Sequence, residues 1–146
     1  MRLALYQPDI PQNAGAMLRL GACCLLVPNP RDIAGFVALL RKHRFTNLSG
    51  VNTLFNALLN HPDIGKVDWS RLDYAIAGGM AMQAPVARRW KAVTGRPVIE
   101  GYGLSETAPV VAVNPPTLHD WSGTIGYPVP STEVCIRDDA GAILPP

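Results

Sequence analysis

Strand-length apolar runs alternate along the chain with longer stretches of helical periodicity, and this alternation constrains the fold more than any other feature. RLALY (2–6), CLLV (24–27), DYAIAGG and RPVIEG read as strands, and TNLSGV as a weak short one. Between the first two, Asn13 is placed to cap a helix over 14–22. Asp32 is placed to cap IAGFVALLRKH, whose Ile33, Phe36, Val37 and Leu40 share one face. Lys42 and His43 suit the negative pole of that helix. NTLFNALLN gathers Leu54, Phe55 and Leu58 on one side and stops before Pro62, while PVARRWKAV opens on Pro85 and ends before Gly95. EVCIRDDAGAILPP reads as a hairpin turning at Asp139-Ala140-Gly141. The closing GAILPP has nothing to pair with beyond that turn and stops in two prolines, as a truncated chain would. Strands separated by helices predict an α/β layer with a mainly parallel sheet flanked by helices.

In such a sheet, ligands lie beyond the carboxyl ends of the strands. Two strand ends stand out, AIAGGM (75–80) and VIEGYGLSET (98–107), because each apolar run finishes in glycine. Gly78 and Gly79 allow backbone to approach a flat ligand, although taken alone the pair fits an ordinary strand-to-helix turn better. The second loop is richer. Tyr102 offers a ring face for stacking, Ser105 and Thr107 offer hydroxyls to phosphate oxygens, and Glu106 is a hard oxygen donor of the kind magnesium accepts beside a nucleotide. An aromatic, two hydroxyls and one carboxylate suit a nucleotide with its metal, and they suit a solvated polar loop equally well.

Other chemistries find less support. GLSET lacks the second glycine of a nucleophile elbow, and GYGLSE lacks the lysine of a phosphate-binding P-loop. His43, His61 and His119 are scattered without metal-ligand spacing. Cys23, Cys24 and Cys135 form neither a disulfide framework nor a metal motif, and buried thiols are the expectation. Trp69, Trp90 and Trp121 read as core or partly buried packing. With 48% apolar and 16% charged residues in 146, the chain has the makings of one folded domain. A net charge of +2, with no run of Lys or Arg longer than two, gives no nucleic-acid footprint. No apolar stretch approaches the roughly 18 residues that span a bilayer, and no signal peptide is evident, so the cytoplasm is the expected compartment. Peripheral membrane association stays open.

From about residue 24 to 146 the chain resembles bacterial long-chain fatty acid–CoA ligases of the adenylate-forming superfamily. LLVPNPRDI, FTNLSGVNTLFNALLN, AIAGGMAMQ, VIEGYGLSETAPVVAVNP and SGTIGYPVPSTEV carry the resemblance and occur in family order. It implies ATP-dependent activation of a fatty acid to an acyl-adenylate, then transfer to coenzyme A. It also implies a partial adenylate-forming N-terminal domain, with Gly78, Gly79 and Met80 lining the adenine and acyl region. Tyr102 would stack on adenine, Ser105 or Thr107 would touch phosphate, and Glu106 would hold magnesium, with Glu106 and Thr107 the catalytic candidates. Gly101 and Gly103 would keep the loop close to the adenylate, VNTLFNALL would lie near the acyl channel, and Gly123 and Gly126 would shape the loop behind it. The family's phosphate loop with its lysine, its later ribose-binding aspartate and its small C-terminal domain have no counterpart in these residues. A fragment without that cation is expected to turn over little or not at all.

Residues 1–23, MRLALYQPDIPQNAGAMLRLGAC, instead resemble the opening of SPOUT-class tRNA wobble-nucleotide 2′-O-methyltransferases, with Asn13 and Arg19 at matching positions. The resemblance implies a seam near Cys23-Cys24. It leaves as alternatives a methyltransferase relative or a non-catalytic chimeric remnant.

Overall fold

The computed structural model describes residues 2–5, 21, 23–107 and 109–145, the first four as backbone alone. Of the helix expected over 14–22 only Gly21 is among the described residues, in a turn at φ 70°, while Asn13 and Arg19 lie outside them.

Strand β1 (Arg2–Leu5) runs parallel to both β2 (Cys23–Leu26) and β3 (Asn47–Gly50). Between β2 and β3 lies α1 (Ile33–Lys42), which begins where expected: the Asp32 carboxylate accepts from the Gly35 amide at 2.9 Å. Its apolar stripe buries Phe36, Val37 and Leu40, and Arg41 and Lys42 occupy the last turn. Helix α2 (Asn52–Leu59) follows β3 directly and buries Leu54, Phe55 and Leu58. The chain then makes a 3₁₀ turn (Ile64–Lys66) before β4 (Tyr74–Ala77). Helix α3 (Ala84–Thr94) has Pro85 in its first turn, where the missing N–H costs nothing, and ends on Gly95 in the left-handed region at φ 73°. It leads into β5 (Val98–Gly103).

The sheet order is β2-β1-β3-β4-β5, all parallel, extended antiparallel by β6 (Val110–Val113) and β7 (Tyr127–Pro128). A separate hairpin pairs β8 (Ile136–Arg137) with β9 (Ile143–Leu144) around Gly141 at φ 85°. The mainly parallel α/β sheet flanked by helices is therefore present. One expectation changes. The closing GAILPP does pair, because Ile143 and Leu144 answer Arg137 and Ile136 across the turn. The Val-rich run after the site loop is a strand, since it returns along β5 and completes that strand's other edge.

Apolar faces of α1, α2 and α3 meet the sheet around Trp90, which is fully buried. Its ring stands edge-on to Phe55 at 4.7 Å and to Trp69 at 5.1 Å, and Trp69 meets Phe45 at 5.7 Å. The thiols depart from expectation. Cys23 and Cys135 are exposed and Cys24 is half-buried, because β2 is an edge strand and Cys135 lies in the exposed stretch before β8. Among the described residues no helix is long and apolar enough to cross a membrane.

Candidate functional site

Strand β5 begins in the core and ends outside it. Val98, Ile99 and Glu100 are buried, Gly101 is half-buried, and Tyr102 and Gly103 are exposed. The carboxyl end of β4 emerges beside it. The Gly78 amide donates to the Gly50 carbonyl at 3.2 Å, and a Cβ on Gly78 would meet the Gly101 carbonyl at an ordinary 3.6 Å. Gly79 takes a positive φ of 78°, and its Cβ would lie 3.6 Å from Val51. The ends of β3, β4 and β5 thus lie side by side, with Met80 and Tyr102 exposed at 48% and 43%.

The loop beyond β5 is built by Thr107. Its hydroxyl accepts from the Leu104 amide at 3.0 Å and lies 2.9 Å from the carbonyls of both Leu104 and Pro109, either of which can take its proton. Gly103 is required there, because a Cβ would fall 1.9 Å from the Pro109 carbonyl oxygen. The 3₁₀ turn Ser105–Thr107 results, and the side chains of Ser105 and Glu106 project exposed with no hydrogen-bond or ion-pair partner among the described residues.

No group of three or more His, Cys, Asp or Glu among the described residues could hold a metal by itself. A lone exposed carboxylate does fit magnesium, which keeps waters and usually takes one or two carboxylates plus phosphate oxygens. Segments 78–83 and 101–107 carry no Lys or Arg, so this surface supplies donors, a ring and one anion but no cation.

Behind the loop lies a polar cluster that motif reading missed. The buried Glu100 carboxylate accepts from the Met82 amide at 2.7 Å and from the Trp121 indole N–H at 2.6 Å. Buried Asn114 donates its side-chain amide to the carbonyls of Glu100 and Thr124, and its own oxygen accepts from the Ser122 hydroxyl at 3.0 Å. Gly126, at φ 88°, is demanded because a Cβ would strike the Val113 backbone at 2.1 Å. The one signal for Glu100 was a carboxylate inside an apolar run. A shallow hollow lined by Ala87, Arg88, Lys91, Asp120 and Trp121, where Lys91 pairs with Asp120, shares none of the strand-end residues.

The family model described as AMP-binding enzyme matches residues 13–146. The chain belongs to the AMP-binding enzyme family. The match begins inside the segment 1–23. Among curated AMP-binding relatives, a long-chain-fatty-acid–CoA ligase of Yersinia pestis is 49% identical over 88% of this chain and 23% of its own length. One from Bacillus subtilis is 32% identical over 88% and 23%. The anthranilate CoA ligase AuaEII, solved with anthranoyl-AMP, aligns with a TM-score of 0.85 at 25% identity, over 99% of this chain and 29% of its own. A benzoate CoA ligase from Burkholderia xenovorans gives 0.76 at 27% identity, over 88% and 26%. The chain therefore spans about a quarter of the length of these AMP-binding proteins.

Proposed function

We propose that this chain carries the acyl-adenylate-facing surface of an ATP-dependent long-chain fatty acid–CoA ligase, with ATP, magnesium, coenzyme A and a fatty acid as the ligands of the complete enzyme. The observation that carries the reading is the convergence of the Gly78–Met80 and Gly101–Thr107 segments at the carboxyl ends of parallel strands, with Tyr102 and Glu106 exposed on them. The 49% identity to a long-chain ligase favours that acyl class.

On this reading Tyr102 is the platform for adenine, while Gly78, Gly79 and Met80 line the adenine and acyl region. Gly101 and Gly103 let the loop approach the adenylate. Ser105 is the free hydroxyl for phosphate. Thr107 sets the loop, its hydroxyl already engaged within it. Glu106 would hold magnesium, which when bound would offset the charge of the ATP phosphates facing the fatty acid carboxylate. Helix α2 borders the acyl channel, and Gly123 and Gly126 shape the loop behind the site. With no cation on these loops, residues 1–146 bind acyl-adenylate but turn over little. The cytoplasm as compartment and the placement of 24–146 in the AMP-binding domain belong to the same proposal.

The methyltransferase reading rests on residues 1–23. The family match begins at Asn13, so both Asn13 and Arg19 fall within it, and β1 lies between β2 and β3 in the same sheet. Neither observation favours a methyltransferase. Stabilisation of the chain by millimolar S-adenosylmethionine would revive that reading.

The experiment that tests the proposal is magnesium-dependent binding of a non-hydrolysable acyl-adenylate analogue to Glu106→Gln. The expected result is loss of the magnesium dependence with the fold intact. Unchanged dependence removes Glu106 from the site.

A further inference from the structure

Glu100 is the most buried carboxylate among the described residues and has no cation beside it, only two N–H donors. Each donor comes from a different segment. Met82 belongs to the loop that starts at Gly78, and Trp121 belongs to the loop between β6 and β7. The main chain of Glu100 adds a third tie, because its carbonyl accepts from both the backbone and side-chain amides of Asn114. Two residues further along β5 stands Tyr102. One side chain therefore fastens both loops to the strand that presents the ring.

We propose that Glu100 is a positioning residue of the cleft: its carboxylate clasps the 78–83 loop and the Trp121 loop onto β5 and so holds Gly78–Met80 in register with Tyr102 for the acyl-adenylate. The inference rests on the adenylate reading of that cleft. A carboxylate is suited to this because it only accepts, and both partners only donate. A buried acceptor-to-donor change leaves an N–H facing an N–H, which costs the full desolvation of the orphaned group.

The chemistry sets the test. Glu100→Gln keeps one acceptor oxygen and turns an NH₂ against either Met82 or Trp121. Trp121→Phe removes one of the two donors, so in the double variant the remaining oxygen can serve Met82. Val37→Ala, buried in α1 and outside the segments 78–83 and 100–107, controls for general destabilisation. Binding of the acyl-adenylate analogue with magnesium is titrated at a temperature where every variant is folded by circular dichroism, and exchange of the Met82 amide is followed in parallel.

The expected result is at least tenfold weaker binding in Glu100→Gln, recovery to within about threefold in Glu100→Gln/Trp121→Phe, and unchanged binding in Val37→Ala. Met82 exchanges at least tenfold faster in Glu100→Gln, with the acceleration confined to the 78–83 loop. Binding in Glu100→Gln within twofold of wild type, or an equal loss in Val37→Ala, overturns the proposal. If the wild-type chain binds no analogue, the adenylate reading fails by itself. Met82 exchange then decides the clasp: local acceleration sustains it, and unchanged or uniformly raised exchange overturns it.

Discussion

Gly78 and Gly103 differ in what a methyl group would meet. At Gly78 it would find the Gly101 carbonyl at 3.6 Å and no positive φ, so the fold does not require glycine there. At Gly103 it would lie 1.9 Å from the Pro109 carbonyl, the acceptor that closes the site loop. Gly78→Ala is therefore expected to leave the thermal midpoint level or slightly higher, by restricting the unfolded chain. It should still weaken acyl-adenylate binding. Gly103→Ala is expected to cost about 1–3 kcal/mol in urea unfolding, the usual range for overpacking. Equal stability of the two variants would contradict this account of why each glycine is present. Gly78 was legible in the sequence as a loop residue, whereas Gly103 read as one although it ends β5. Their different reasons were not legible, because only the fold brings Pro109 back over Gly103. The partners of Glu100 were illegible for the same reason. Its two donors stand 18 and 21 residues away in the chain, and no local pattern marks them.

Helix caps and the apolar stripes were readable because they are local. Asp32 caps α1 through the Gly35 amide, and Asp32→Ala should cost about 1 kcal/mol, measurable by urea denaturation. Asp63 acts between elements. It sits before the 3₁₀ turn, bonded to Lys66 at 2.7 Å and paired with Arg41 of α1 at 3.4 Å. The hydrogen bond from Lys66 foremost, with the positive charges of Lys66, Arg41 and His61, lowers its carboxyl below the ordinary 3.8. A lowered carboxyl contributes stability in full above the unfolded value and loses it as pH falls through the folded value. The stability gap between wild type and Asp63→Asn should thus be present at neutral pH and close as pH drops below 3.8. A gap that persists at the acid end would mean the contact acts through packing instead. Strand β6 shows the limit of reading by element. Val110–Val113 is a four-residue Val-rich run between prolines, a strand signal masked by the neighbouring polar loop.

At the scale of the molecule, alternation of apolar runs sufficed for the parallel sheet, and the glycine-ended runs sufficed to find the strand ends that meet. Periodicity could not supply the antiparallel return of β6 and β7, which depends on Gly126 passing against the Val113 backbone. That return also delivers Trp121 to Glu100 and ties the far edge of the sheet to the candidate site. On the proposed reading, residues 1–146 present an acyl-adenylate surface. Calorimetric titration of the purified chain with a non-hydrolysable acyl-adenylate analogue and magnesium, in wild type and Tyr102→Ala, tests it most directly. Saturable heat is expected in the wild type and at least tenfold weaker binding without the ring, in line with aromatic stacking of roughly 1–3 kcal/mol per base. No heat from a chain that circular dichroism finds folded, or equal binding by both proteins, would contradict it.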